Sequence, residues 1–314
     1  MMANRGRRVL VAAGVVLVLA SCSSDPQGSA PGLGSASTPS SSSPPPTGPA
    51  PQDRPDIAKV VTAGGVSQYL KCAGNGPQTV VIVPGLGTGA AAWTKVFGQV
   101  SKQTRTCVYD RPGIGRSPAR TGSTALDAGK HAQELRALLE KAGERAPFVP
   151  VGHSYGGLVA RAFVRQQKSV IAGLLLAESV TPYDPYNGST WPEGGTSIDL
   201  AASSRATGDG PRIGATPLVV LSASNPEGDH LGGPTYGFSD AVTEQWIRGQ
   251  IDDVRLSSDS IRVVAKSGHV LQQDNTPATV RSIEVLLAAI NSKSPLTCGR
   301  GWRLVNATCT GGGE

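Results

Sequence analysis

Aromatic side chains make up only 4% of the 314 residues, which leaves little material for a surface that stacks sugars or bases. The charged residues are interspersed, and no basic run carries interleaved aromatics, so nucleic acid is not an expected partner. None of the five cysteines forms a Cys-x-x-Cys pair, so the usual spacing of a structural metal site is missing and neither a metal nor a cofactor is expected. The N-terminal apolar run Val9–Ala20 has twelve residues, fewer than the ~20 that cross a bilayer as a helix. Internal repeats are also lacking.

What is present at the N-terminus has the layout of a processing signal. Arg5, Arg7 and Arg8 precede the apolar run, which ends in Leu19-Ala20-Ser21-Cys22. That tetrad resembles the lipobox of bacterial lipoproteins, in which the cysteine becomes the lipidated end of the mature chain. An ordinary secretory signal with a chance cysteine is the plainer alternative. Residues 1–22 are therefore expected to be a signal. Residues 23–55, rich in Ser, Pro, Gly and Ala, have too few apolar side chains to offset the entropy of ordering and read as a tether. Residues 56–314 are left as one domain, enough for a sizeable core. The expected location is the outer face of the cell membrane, with the lipid as anchor. Losing three arginines lowers the formal charge from +6 to +3, too little for a strong electrostatic partner.

With Cys22 assigned to lipid, four cysteines remain, an even number that in an exported domain reads as disulfides. Cys298 and Cys309 enclose a short Gly-rich segment and pair with each other, which leaves Cys72 with Cys107.

Within the domain, short apolar runs alternate with helical patterns, the mark of a parallel α/β sheet. The runs are 66–70, 79–83, 106–109, 146–151, 171–177, 216–221 and 261–265; helices are expected near 90–100, 124–142, 239–254 and 277–290. Residues 181–212 are rich in Gly, Ser, Pro and Asp and suit a short lid, with a helix near 198–204.

One junction carries chemistry. Gly152-His153-Ser154-Tyr155-Gly156 lies between the strand 146–151 and the helical run beginning Gly157-Leu158-Val159. A strand that reverses sharply into a helix strains its middle residue and leaves no room for bulky flanks, so glycine fits on both sides. The serine oxygen is then presented at a helix N-terminus, which favours negative charge.

Together with Pro84-Gly85-Leu86-Gly87, Asp110-Arg111-Pro112-Gly113-Ile114-Gly115-Arg116-Ser117 and Ser267-Gly268-His269, in this order over about residues 60–292, the chain resembles the α/β-hydrolase family, and among its members exported actinobacterial-type esterases. The resemblance implies a mostly parallel eight-stranded sheet with helices on both faces. It also makes the strands of Cys72 and Cys107 neighbours, which agrees with that bridge. It implies a serine nucleophile, then an acid, then a histidine along the chain. Of the four histidines, His131 and His153 precede Ser154 and His230 sits in a polar loop, so His269 after the last strand is the expected base. The acid stays open. The usual place follows the strand 216–221, but the position itself falls near Pro226, with Glu227 and Asp229 close by. Glu178, after the preceding strand, is the favoured candidate, because a carboxylate at the end of a buried strand needs a partner. The resemblance assigns the oxyanion donors to the backbone amides of Leu86 and Tyr155. It gives Asp110 a turn-shaping role, while Trp93, Trp191 and Trp246 read as core or lid packing.

The expected activity is hydrolysis of a small or lipid carboxylic ester through an acyl-enzyme on Ser154, by a monomer. An aminopeptidase or amidase on the same machinery is one alternative, and a non-catalytic lipid-anchored binding protein is another. An epoxide hydrolase or dehalogenase would need Asp in place of Ser154.

Overall fold

Strand residues that are apolar on both faces need cover on both sides, and the chain supplies it. The structure, a computed structural model, describes residues 54–122, 125–182, 189–208, 213–226 and 240–311, all within the unit Pro49–Glu314. In chain order the elements are β1 (Ile57–Ala63), β2 (Val66–Ala73), β3 (Thr79–Val83), α1 (Thr94–Val100), β4 (Arg105–Tyr109), α2 (Ala128–Lys141), β5 (Phe148–His153), α3 (Tyr155–Gln166) and β6 (Leu174–Ala177). They continue with β7 (Thr190–Glu193), β8 (Thr196–Asp199), α4 (Leu200–Thr207), β9 (Leu218–Ala223), α5 (Asp240–Asp253), β10 (Ser260–Ala265), α6 (Leu271–Asp274), α7 (Thr276–Ser292) and β11 (Ala307–Gly311).

Nine strands form one sheet in the order β1-β2-β4-β3-β5-β6-β9-β10-β11. The six from β4 to β10 run parallel, while β1, β2 and β11 are antiparallel additions at the two edges. Alternation along β3 sends Val81 and Val83 into a core shared with α2 and α3. Val80 and Ile82 go into the opposite core, with α1 and α7.

The sheet has nine strands where eight were expected. Seven of the nine match apolar runs read from the sequence, and β1 and β11 are the two that do not. β1 lies just inside the expected domain, where no strand was read. β11, with the sequence Ala-Thr-Cys-Thr-Gly, has no apolar run to announce it, and it is recruited by pairing with β10 and by the Cys298–Cys309 bridge. The Cys72–Cys107 bridge is also present, and the two residues face each other in register across β2 and β4. The proposed lid is a hairpin, β7–β8, followed by α4. It is tied to the domain by Leu126, whose amide donates to the Ser197 carbonyl and whose carbonyl accepts from the Asp199 amide. No helix among the described residues is long and apolar enough to cross a membrane. The signal, Cys22 and nearly all of the tether lie outside the described residues.

Candidate active site

Ser154 sits between β5 and α3 with φ 52° and ψ −126°, a left-handed backbone for a residue with a side chain. Strain of this kind costs on the order of 1–3 kcal/mol and persists only where the surroundings enforce it. Here its amide donates to the Ala177 carbonyl at 3.1 Å, and its carbonyl accepts from the amides of Gly157 at 2.9 Å and Val180 at 3.0 Å. The flanking glycines serve packing, not φ. A Cβ on Gly156 would overlap the Val83 carbonyl, one on Gly157 the Ser179 hydroxyl, and one on Gly152 the Gly156 carbonyl.

Glu178 is the next residue after β6 and is also left-handed, with φ 42°. It is buried, at 1% exposure, and both carboxylate oxygens are engaged. Oε1 accepts from the Ala223 amide at 2.6 Å, and Oε2 accepts from Trp246 Nε1 at 2.8 Å. Oε2 also lies 3.5 Å from His269 Nδ1. The structure therefore brings Glu178 to His269. Asp229 and Glu227 lie outside the described residues.

His269 follows β10 and packs edge-on against the Trp246 ring, with centroids 5.5 Å apart. Its carbonyl accepts from His153 Nε2 at 2.9 Å. A carbonyl only accepts, so this bond fixes the proton of His153 on Nε2. Burial, reinforced by the nearby His269, pushes the His153 pKa down to about 3. His153 is thus a neutral ring under the histidine loop, and the pattern of alternating strand residues did not single it out.

The turn after β3 closes over the nucleophile. A Cβ on Gly85 would lie 2.8 Å from His153 Nδ1 and 3.1 Å from Ser154 Cβ, so only glycine allows that approach. Arg111 and Glu193 hold the turn from behind. Arg111 donates to the Pro84 carbonyl at 2.6 Å, to the Gly85 carbonyl at 2.5 Å, and to both oxygens of Glu193 at 2.7 Å. Glu193 Oε1 also accepts from the Gly87 amide at 2.7 Å. Burial opposes the Arg111 charge, but Glu193 outweighs it and the guanidinium pKa is raised. The Glu193 carboxyl is lowered in spite of its burial, by Arg111 and by the Gly87 amide. Neither residue was singled out from the sequence. The Gly194-Gly195 pair between Trp191 and Ile198 was a usable hairpin signal, since both glycines have positive φ, at 60° and 84°.

Ser154 and His269 line one cavity of about 190 Å³ together with Leu86, Tyr155, Val180, Trp191, Pro192, Leu200, Trp246 and Val270. Trp191 and Trp246 are thus cavity walls as well as packing residues. Trp93 is fully buried in the core, as expected. Asp110 is structural: it accepts from the amides of Ala90 at 2.6 Å and Arg116 at 2.9 Å, joining two loops. Among the described residues, the one group with metal-ligand spacing is Cys72, Cys107 and Glu144. Its two thiols are spent in the disulfide, and Glu144 pairs with Arg105.

The sequence profile described as "Alpha/beta hydrolase family" matches residues 80–211. A thermophilic esterase from Thermogutta terrifontis superposes with a TM-score of 0.55 at 17% identity, covering 76% of this chain and 99% of the esterase. The chain has the α/β-hydrolase fold. Within that fold, the structure of the epoxide hydrolase CorEH also superposes, with a TM-score of 0.52 at 13% identity over 75% of this chain and all (100%) of that one. The pimeloyl-[acyl-carrier protein] methyl ester esterase of Edwardsiella ictaluri is 32% identical over 111 residues, 35% of this chain and 40% of the esterase. The chain spans about two fifths or less of the length of the curated relatives it matches.

Proposed function

We propose that this α/β-hydrolase-fold chain is a serine hydrolase that cleaves carboxylic esters through an acyl-enzyme on Ser154. The observation that carries the reading is the placement of Glu178 against His269 Nδ1, with that histidine and the strained Ser154 on the wall of one cavity. In this reading His269 takes the Ser154 hydroxyl proton as the oxygen attacks the ester carbonyl. Glu178 keeps the second imidazole proton on Nδ1 and stabilises the imidazolium. The amides of Leu86 and Tyr155 receive the oxyanion. His269 then protonates the leaving alcohol and activates water for deacylation.

The cavity walls favour an acyl group over a charged one. Among the described lining residues none is a carboxylate to pair with the free amine of an aminopeptidase substrate. At about 190 Å³ the space is below the ~300–1,000 Å³ of sites for drug-sized ligands, which suits short acyl chains. The relative and the structural neighbour described as esterases agree with this chemistry.

A fluorophosphonate probe tests the reading by intact mass. One adduct is expected on the folded protein and none on Ser154→Ala; an unlabelled wild type refutes the proposal. We also propose export with a lipid on Cys22, supported by the signal-like N-terminus and the two disulfides. Radiolabelled palmitate should enter the wild type and not Cys22→Ala; equal labelling refutes the anchor.

A further inference from the structure

The geometry points to Glu193 as a positioning residue for the oxyanion donor at Leu86, an inference that rests on the ester-hydrolase reading. Glu193 does not belong to the nine-stranded sheet. It ends β7 in the hairpin whose Trp191 and Pro192 wall the cavity. Its side chain is 2% exposed and its partner Arg111 is 1% exposed. Together they grip the turn on both sides of Leu86. Arg111 holds the carbonyls of Pro84 and Gly85, and Glu193 holds the amide of Gly87. The Arg111 guanidinium also lies over the Tyr155 ring, 5.3 Å from its centroid, so it contacts the ring of one proposed donor residue and the carbonyl of the peptide group that carries the other donor, the Leu86 amide. The hairpin tip is seated equally closely: a Cβ on Gly194 would overlap the Pro112 carbonyl, and one on Gly113 the Gly194 backbone.

Stability is a poor reason for such a pair. Two buried charges lose hydration, and an apolar pair of the same volume often serves stability as well. Orientation is a better reason. The peptide planes on either side of Leu86 are fixed by charge-assisted bonds, which are short and directional. The hairpin that shapes the acyl cavity therefore also aims the donor, and the oxyanion site is complete only with the hairpin seated.

The test compares the wild type with Glu193→Gln, and with Glu144→Gln as a control that breaks the buried Arg105–Glu144 pair at the opposite end of β4. Glu193→Gln should lower kcat for p-nitrophenyl butyrate about 10- to 100-fold with KM within twofold, approaching the loss of one oxyanion donor. The Ki of butylboronic acid, which forms a tetrahedral adduct, should rise in proportion. Amide hydrogen exchange at Gly85–Thr88 should speed up at least tenfold. Glu144→Gln should lower the Tm and leave all three readouts unchanged. Should Glu193→Gln fail to fold, the double variant Arg111→Met/Glu193→Met removes both charges and should show the same losses. A Glu193 variant that loses Tm like the control but keeps kcat, boronate affinity and loop protection overturns the proposal. A wild type that neither hydrolyses esters nor takes the fluorophosphonate label refutes the esterase reading instead, and the exchange measurement still decides whether Glu193 holds the turn.

Discussion

Replacing Glu178 by Gln changes one atom and, depending on the flip, sets its NH₂ against one or two of three neighbours. The carboxylate faces only donors: the Ala223 amide on Oε1, and Trp246 Nε1 with His269 Nδ1 on Oε2. A glutamine has one acceptor oxygen, so in either flip its NH₂ meets a buried N–H. The stranded donor costs about 1–3 kcal/mol of stability. The catalytic cost is larger. If the NH₂ turns to His269, it favours the tautomer with the proton on Nε2, and that nitrogen can no longer take the serine proton. If the oxygen turns there, the imidazolium still loses its counter-charge. Exchange of a triad carboxylate for its amide lowers kcat about 10⁴-fold in the serine protease template, or about 5 kcal/mol at 1.36 kcal/mol per decade. We expect a fall of at least 10³-fold for Glu178→Gln in p-nitrophenyl butyrate hydrolysis, with circular dichroism unchanged. Asp229→Asn and Glu227→Gln should stay within threefold of wild type. A Glu178→Gln enzyme within threefold of wild type, or a 10³-fold loss in Asp229→Asn, refutes the assignment.

Three further outcomes follow. Gly156→Ala drives a methyl group onto the Val83 carbonyl oxygen and should cost about 3 kcal/mol or more, read as a lower Tm and a loss of probe labelling; an unchanged Tm contradicts the close approach. Burial pushes both His131 and His153 from 6.5 to about 3, so between those pH values the unfolded chain binds protons that the fold does not. Stability should therefore be full above pH 6.5 and fall toward pH 3, and His131→Gln should reduce the dependence of the unfolding free energy on pH, measured by urea titrations at several pH values, by about 1.4 kcal/mol per pH unit near pH 5; an unaltered dependence contradicts it. Cys72→Ala/Cys107→Ala removes a bridge with a sequence separation of 35 and should lose about 4 kcal/mol in the chain-entropy model while kcat per folded molecule stays unchanged; a loss under about 1 kcal/mol would show that the bridge constrains little.

The parts of the site legible in the sequence are those written locally. The elbow around Ser154 and the Ser267-Gly268-His269 turn each sit within a few residues of a recognisable strand, and the four motifs kept their order. Glu178 was readable as the favoured acid, a buried carboxylate needing a partner, ahead of Asp229 and Glu227, but the donors that hold it were not. Its partners come from Ala223 and from Trp246, 68 positions away, and no short-range pattern encodes them. Its positive φ is equally silent, since glutamate has no preference for that region. Arg111 and Glu193 are 82 positions apart and meet only because the hairpin folds back over the turn after β3. β11 was illegible because its residues are polar and small, and its place is given by a partner strand and a disulfide. Trp246 was undervalued because a tryptophan in an amphipathic helix looks like core until its N–H is seen to point at a carboxylate.

Glu178 binds the end of β9 through Ala223 and the body of α5 through Trp246, so one carboxylate fastens both banks of the connection between them. On the proposed assignment of the acid to Glu178, directly after β6, the span 227–239 need not supply the catalytic carboxylate. On that assignment, evolution can lengthen, shorten or rewrite that span to suit new alcohols while the acid–histidine pair stays in place. Substrate range and catalytic competence are thereby separated along the chain, and relatives of this protein should diverge fastest between two residues that hold still.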